Sequence, residues 1–178
     1  MIESFIIKNY RSYRDATELS FTASKKEGSK TKDLPLIWYK EINGKRILRL
    51  LLCVGLNGTG KSKMFSALNY LRMIATAKPQ KPSDKPEYRP FLLDNFSSTQ
   101  PTELALTYYI GEECFNYSIK ISSNCIEEEE LKLIQSRSSR IFHRYHNKES
   151  DKVVISYGNV CDLSKSDQRD LEVNTLAN

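Results

Sequence analysis

Apolar and polar residues alternate in short runs along much of the chain, and these runs predict β-strands. "SFIIKNY" and "TELSFTAS" are two such runs near the N-terminal end, separated by the polar stretch "RSYRDA". After residue 100, "TELALTYYI", "CFNYSIKIS" and "CIEEEELKLI" repeat the pattern, with the turn signals "GEE" and "SSN" between them. Alternating runs bounded by turn residues are typical of antiparallel sheets. We therefore predict a β-meander over residues 102–160, extended at its end by "SRIFHRYHN" and "DKVVISYG".

The part of the chain before this meander shows a different pattern. Asn43 and Gly44 are a hairpin signal, because both tolerate positive φ, and they would join a strand at residues 36–40 to one at residues 47–54. The second of these, "ILRLLLCV", is almost entirely apolar, which is typical of a strand buried on both faces. In "KSKMFSALNYLRMIATA", apolar residues recur at three- and four-residue spacing, which predicts an amphipathic helix.

These elements together predict an α+β fold in which a P-loop strand and helix pack with the antiparallel meander. The 178 residues suffice for one domain with a sizeable core. We expect a P-loop core at residues 1–77, a proline-rich loop at 78–101, the meander at 102–160 and a C-terminal helix at 161–178. Ser164 stands at the N-cap position of that last helix.

The composition indicates the class of protein, its expected location and its possible partners. The chain is 39% hydrophobic and 28% charged, which is typical of a globular protein. It has no apolar run near the ~20 residues of a membrane helix and no pattern of a secretion signal, so we expect a cytoplasmic protein without a membrane partner. The four cysteines lie far apart, which favours neither a zinc site nor a disulfide framework. The net charge of +5 permits a nucleic-acid partner without requiring one.

The stretch "GLNGTGKS" has the spacing G-x-x-x-x-G-K-[ST] of a phosphate-binding loop. Glycines let such a loop turn its backbone N–H groups toward phosphate oxygens, and the following helix N-terminus adds donors and a partial positive charge. The lysine reaches the β- and γ-phosphates, and the final hydroxyl binds Mg²⁺. The predicted nucleotide-binding residues are Gly55, Leu56, Asn57, Gly58, Thr59, Gly60, Lys61 and Ser62, with Ser62 as the metal ligand.

The residues inside this loop indicate which class of nucleotide-binding protein the chain resembles. Its form G-x-N-G-x-G-K-S resembles the Walker A loop of ABC-type ATPases, particularly those of the SMC, RecF and OLD group. The N-terminal stretch "IESFIIKNYRSYRDATELSF" is similar to the opening of those proteins. The stretch "RPFLLDNFSSTQPTELALTYYIGEECFNYSIKI" and the pieces "IEEEELKL" and "RIFHRY" resemble AAA family ATPases of abortive-infection and other anti-phage systems. The resemblance extends to about residue 157.

The resemblance implies the N-terminal lobe of a longer ATPase head that binds ATP and Mg²⁺ and acts in anti-phage defence or DNA maintenance. It implies a homodimer formed through the nucleotide in the full-length protein, with DNA or an effector protein as a further partner. It also implies that Arg11 and Ser12, in the turn after the first strand, lie close to the nucleotide. A simple inter-strand turn is an equally good interpretation of these two residues.

The residues that would hydrolyse ATP are not recognisable in the sequence. The family pattern requires a hydrophobic strand ending in Asp-Glu, but Asp94 in "FLLDN" is followed by Asn95. The carboxylates at residues 127–130 follow too short an apolar run, and "LSKSDQR" lacks the glycines of a signature motif. The remaining candidates are Gln100 for a glutamine loop and the H-x-x-H pair His143 and His146, which would face opposite sides of a strand. We therefore expect ATP hydrolysis by this chain at or near background.

Two further functions remain open at this point. One is a module that binds the nucleotide without turnover. The other is a small P-loop kinase, in which "KPQKPSDKPEYR" would form a lid. The antiparallel pattern after residue 100 counts against the kinase, because such kinases have mainly parallel sheets with repeated helices.

Overall fold

The computed structural model describes residues 1–23, 36–76, 85–147, 150, 152–161 and 164–169. Strands account for 45% of the structure and helices for 19%. The strands are β1 (Ile2–Lys8), β2 (Thr17–Ser20), β3 (Tyr39–Ile42), β4 (Lys45–Leu48), β5 (Thr102–Ile110), β6 (Glu113–Ile121), β7 (Ile126–Ile134), β8 (Ser138–Asn147) and β9 (Lys152–Tyr157). The long helix α1 spans Lys61–Thr76.

Seven of the strands form one large sheet. Their order is β2-β1-β5-β6-β7-β8-β9, and each neighbouring pair is antiparallel. The predicted meander is present as the five consecutive strands β5 to β9, which end at Tyr157. The N-terminal hairpin of β1 and β2 adds to this meander, because β1 pairs with β5.

The predicted α+β fold, built on a P-loop strand at residues 47–54, is wrong. Strand β4 ends at Leu48 and pairs with β3 in a separate two-stranded sheet, with one further bridge between Ile47 and Thr22, and residues 49–56 form no strand. The side chains of Leu52 and Val54 are 81% and 80% exposed. A continuous apolar run forms a buried strand only where neighbouring strands satisfy its backbone groups, and no described strand pairs with residues 49–54. The fold is therefore mostly antiparallel β-sheet, not a P-loop lobe built on a buried strand that leads into the helix.

The hairpin of β3 and β4 lies near one end of the large sheet. Its turn is confirmed at Asn43 and Gly44, whose φ angles of 49° and 71° are both positive, as a two-residue type I′ turn requires. The first predicted strand was placed too early, because Leu36–Trp38 is a 3₁₀ turn and β3 follows it. The hairpin is fixed to the sheet by a small buried cluster of Ile42, Ile47, Tyr109 and Cys114.

The main core lies on one face of the large sheet. Phe5 and Ile7 of β1 are fully buried there, as are Ile121 and, almost completely, Leu104. Helix α1 adds Ala67, Tyr70 and Leu71 to the same cluster, at the three- and four-residue spacing of one helical stripe. The helix, and the phosphate loop that precedes it, are thereby attached to the sheet through β1.

The C-terminal region is described only in part. Residues 165–169 are helical, and the Ser164 hydroxyl accepts a hydrogen bond from the Asp167 N–H at 3.2 Å, which is N-cap geometry. Residues 170–178 of the predicted helix, Leu163, and residues 78–84 of the predicted proline-rich loop lie outside the described residues. None of the helices in the described part of the chain is long and apolar enough to cross a bilayer.

Candidate phosphate-binding site

The loop at residues 55–62 leads directly into α1 and has the backbone conformation that its glycines permit. Gly58 and Gly60 have φ angles of 83° and 94°, in the left-handed region that residues with a Cβ rarely adopt. At Gly55 the space is tight, because a Cβ there would lie 3.1 Å from the Thr59 hydroxyl and that side chain would have to shift slightly. The Thr59 hydroxyl itself donates a hydrogen bond to the Leu56 carbonyl at 2.8 Å, which closes the turn.

Lys61 is the first residue of α1, and its side chain folds back over the loop. Its ammonium donates hydrogen bonds to the carbonyl oxygens of Gly55 and Leu56, both at 2.6 Å, and lies 3.3 Å from the Thr59 hydroxyl. The glycine loop therefore surrounds a positive charge. This charge lies beside a helix N-terminus, where the first N–H groups lack intrahelical acceptors and favour an anion.

The remaining loop residues are open to solvent. Asn57 and Ser62 are exposed, and the Leu56 side chain is 81% exposed. The Ser62 hydroxyl is therefore accessible to a hydrated cation, which is the position that a Mg²⁺ ligand needs. In the described residues no group of three or more His, Cys, Asp or Glu could hold a metal ion by itself. A Mg²⁺ ion at this loop would need the phosphates of a nucleotide as additional ligands.

The turn after β1 brings one of its two predicted site residues to the loop. The Cβ of Ser12 lies 3.6 Å from the point that a Cβ on Gly60 would occupy. The side chain of Arg11, the other predicted residue, contacts Tyr10. Its Nε donates to the Tyr10 hydroxyl at 3.3 Å, and its guanidinium carbon lies 5.6 Å from the centre of the Tyr10 ring. Tyr13 was not predicted as a site residue from the sequence, but its hydroxyl donates a hydrogen bond to the Gly60 carbonyl at 3.2 Å.

Asn9 fixes this turn to the rest of the fold. Asn9 is only 3% exposed, and its side-chain amide NH₂ donates to the carbonyls of Ser97 and Gln100 at 2.8 and 2.6 Å. Its amide oxygen accepts the Phe91 N–H at 3.0 Å, and its backbone carbonyl accepts the Thr102 hydroxyl at 2.7 Å. Gln100, the candidate for a glutamine loop, thus contributes its backbone carbonyl to this network.

Asp94 has a structural role rather than the role of a metal-binding strand end. Residues 91–94 form no strand. The Asp94 carboxylate accepts the Ser97 N–H at 2.6 Å and the Ser97 hydroxyl at 2.9 Å. The hydrogen bond from the Ser97 N–H is the main cause that lowers the pKa of this carboxyl, which therefore holds the start of the 3₁₀ turn Ser97–Thr99.

The acidic run at residues 127–130 belongs to β7 and is engaged by neighbouring strands. Glu129 and Glu130 form ion pairs with Arg144 and Arg140 of β8, at 2.6 and 2.9 Å. The other partners are the Tyr117 hydroxyl for Glu129, Lys132 for Glu130, and Lys120 and His143 for Glu128. His143 is therefore a cross-strand partner of a carboxylate, and these glutamates stabilise the sheet instead of facing the phosphate loop.

Glu130→Gln is expected to destabilise the protein at pH 7 by about 1.5–3 kcal/mol, the usual contribution of hydrogen bonds to a charged group. Burial raises the pKa of Glu130, but hydrogen bonds from Lys132 and Arg140 outweigh it and lower the pKa below the ordinary 4.5. A lowered folded-state pKa gives stability that is present above pH 4.5 and is lost as the pH falls through the folded value. Urea unfolding at pH 7 and at pH 3 measures both effects.

The exposed Glu112 provides the control for this prediction, as Glu112→Gln. The Glu130→Gln variant should lose stability at pH 7 relative to this control, and the difference should shrink at pH 3. Equal stability of the two variants at pH 7 would show that the β7 carboxylates do not hold the sheet.

The chain matches no protein-family model, no curated protein and no solved structure.

Proposed function

We propose that this chain binds Mg-ATP through residues 55–62, as the ATP-binding part of an ABC/SMC-like ATPase. The observation that carries the proposal is the Lys61 ammonium, held by the Gly55 and Leu56 carbonyls inside a loop with two left-handed glycines. A lysine at the start of a helix is unfavourable for the helix dipole by itself. A phosphate group bound at the same place removes that cost, because it supplies negative charge to both the ammonium and the helix N-terminus.

Each part of the loop has a role in this proposal. The backbone N–H groups around Gly58 and Gly60 bind phosphate oxygens, Lys61 neutralises phosphate charge, and the Ser62 hydroxyl is a ligand of Mg²⁺. The choice of ATP over GTP comes from the form G-x-N-G-x-G-K-S and its resemblance to ABC-type ATPases. That resemblance extends the proposal to a cytoplasmic protein of anti-phage defence or DNA maintenance. In its longer form it would dimerise through the nucleotide and act with DNA or an effector protein.

A binding module without turnover is the second candidate function. It is favoured by the engagement of Asp94, Glu128, Glu129 and Glu130 in structural hydrogen bonds and ion pairs. None of these carboxylates has been found beside the loop, where one would have to orient a water molecule. The two candidates share the same binding step and differ only in the step after it.

Thermal unfolding with and without Mg-ATP tests the proposed binding. At a ligand concentration of about 100 times the dissociation constant, binding adds about 2.7 kcal/mol to the free energy of unfolding. The midpoint should therefore rise with Mg-ATP and fall back when EDTA removes the metal, whereas MgCl₂ alone should leave it unchanged. A midpoint that millimolar Mg-ATP does not move contradicts the proposed function.

A further inference from the structure

The Gly60 carbonyl lies at the junction between the phosphate loop and α1, and it accepts three hydrogen bonds. Two come from the backbone N–H groups of Lys63 and Met64 in the first turn of α1, at 2.8 and 3.1 Å. The third comes from the Tyr13 hydroxyl, at 3.2 Å. Tyr13 is thus a side chain from the N-terminal turn that bonds directly to the backbone of the loop.

Because the peptide bond is planar, the hydrogen bond to the Gly60 carbonyl also affects the phosphate site. In a trans peptide the carbonyl oxygen of one residue and the N–H of the next point in opposite directions. A bond that holds the Gly60 carbonyl therefore also fixes the direction of the Lys61 N–H. This peptide adjoins Gly60, whose lack of a Cβ allows its φ of 94°.

We propose that Tyr13 is a positioning residue of the phosphate loop, whose hydroxyl holds the Gly60 carbonyl and thereby directs the Lys61 N–H toward bound phosphate. This inference rests on the proposed binding of Mg-ATP at residues 55–62. It adds a residue from outside the motif to the binding site and assigns it an action through the backbone, without contact to the nucleotide.

The contact is close, and a side chain on Gly60 would press on Tyr13 in addition to being strained at a φ of 94°. A Cβ at this position would lie 3.3 Å from the Tyr13 hydroxyl oxygen and 3.5 Å from the ring carbon that bears it. The hydroxyl also remains a donor at neutral pH. Burial raises the pKa of Tyr13 above its ordinary value of 10, and Cys53 raises it further.

The turn that carries Tyr13 is firmly attached to α1. Tyr10 and Tyr13 exchange two backbone hydrogen bonds of 2.9 Å, which makes them a small antiparallel bridge. Tyr10 stacks on Tyr70 of the helix with ring centres 5.9 Å apart, and its hydroxyl lies 3.2 Å from the Ser66 hydroxyl. Asn9 is also bonded to the segment before β5. These contacts fix the position of the turn, and therefore the position of Tyr13 relative to the loop.

Tyr13→Phe removes the hydroxyl and keeps the ring, so it tests the proposal with little change in packing. One hydrogen bond contributes about 0.5–1.5 kcal/mol, so affinity for Mg-ATP should fall about 2- to 12-fold. Affinity for pyrophosphate should fall by the same factor, because the effect acts on the phosphate groups alone. Tyr108→Phe is the matched control, since Tyr108 is a partly buried tyrosine of β5 outside the loop.

Calorimetric titration of the wild type and both variants, at a temperature below all unfolding midpoints, gives the result. The proposal predicts weaker binding of both ligands by Tyr13→Phe only. In NMR spectra of that variant, the Lys61 amide resonance should be displaced from its wild-type position. Equal affinities in the wild type and Tyr13→Phe overturn the role of Tyr13 and leave the proposed function intact. Absence of binding by the wild type overturns the proposed function itself and this inference with it.

Discussion

Replacing Lys61 with alanine is expected to weaken Mg-ATP binding by about 10- to 150-fold, which corresponds to the 1.5–3 kcal/mol of hydrogen bonds to a charged group. The ammonium is the only charged group among residues 55–62, and it lies within the loop, 2.6 Å from the carbonyls at its start. Loss of this charge leaves the phosphates to backbone donors and to Mg²⁺. Calorimetric titration of Mg-ATP into the wild type and the variant measures the change.

Lys63→Ala is the control for Lys61→Ala. Lys63 lies two residues further along α1 and is exposed, so its removal changes the net charge equally at a similar distance from the loop. Its affinity should stay within about twofold of the wild type, because an exposed charge outside the loop contributes little through water. An equal loss of affinity in both lysine variants would mean that general positive charge, and not the loop, binds the nucleotide.

ATP hydrolysis by this 178-residue chain is expected at or near background. Phosphoryl transfer depends on positioning and on stabilisation of charge, and the loop, Lys61 and Mg²⁺ supply part of the charge stabilisation. A group that orients and deprotonates water is also needed, and the candidate carboxylates among the described residues are bonded to other groups. Asp94 holds a 3₁₀ turn through Ser97, and Glu129 is bonded by Tyr117 and Arg144. Each missing part typically costs orders of magnitude in rate.

A phosphate-release assay on the purified chain tests this expectation. Asp94→Asn and Glu129→Gln should leave the low rate unchanged, since neither carboxylate acts on the nucleotide in this account. Robust turnover that Lys61→Ala abolishes would overturn the expectation. A loss of that turnover in one carboxylate variant, at unchanged Mg-ATP affinity, would then identify the residue that activates water.

The meander and the β3–β4 turn could be predicted because their signals are local. Period-two alternation after residue 100 fixes which residues face the core, and the positive φ angles at Asn43 and Gly44 depend on those two residues alone. The signal for the glycine loop is local as well, because the spacing of the glycines within eight residues determines the backbone conformation of the loop. Residues 49–56 differ, because whether an apolar run becomes a strand depends on partners that its own sequence does not specify.

The support around the loop could not be predicted, because it joins residues far apart in the chain. Asn9 bonds to carbonyls some 90 residues away, and Tyr13 bonds to Gly60 across 47 positions. In the sequence Asn9 belongs to the first predicted strand run and Tyr13 to the polar stretch after it. The assignment of Arg11 to the nucleotide came from resemblance and stays a prediction; its guanidinium lies over the Tyr10 ring.

Backbone amide NMR during titration with Mg-ATP tests the central claim most directly, because it locates binding residue by residue. The account predicts that the largest shifts arise from the amides of residues 58–62, with smaller shifts at Ser12 and Tyr13. Amides of β7, β8 and β9 should remain at their positions. Saturable binding whose largest shifts lie outside residues 55–62, or no shift in that loop at millimolar Mg-ATP, would contradict the claim that it binds the phosphates.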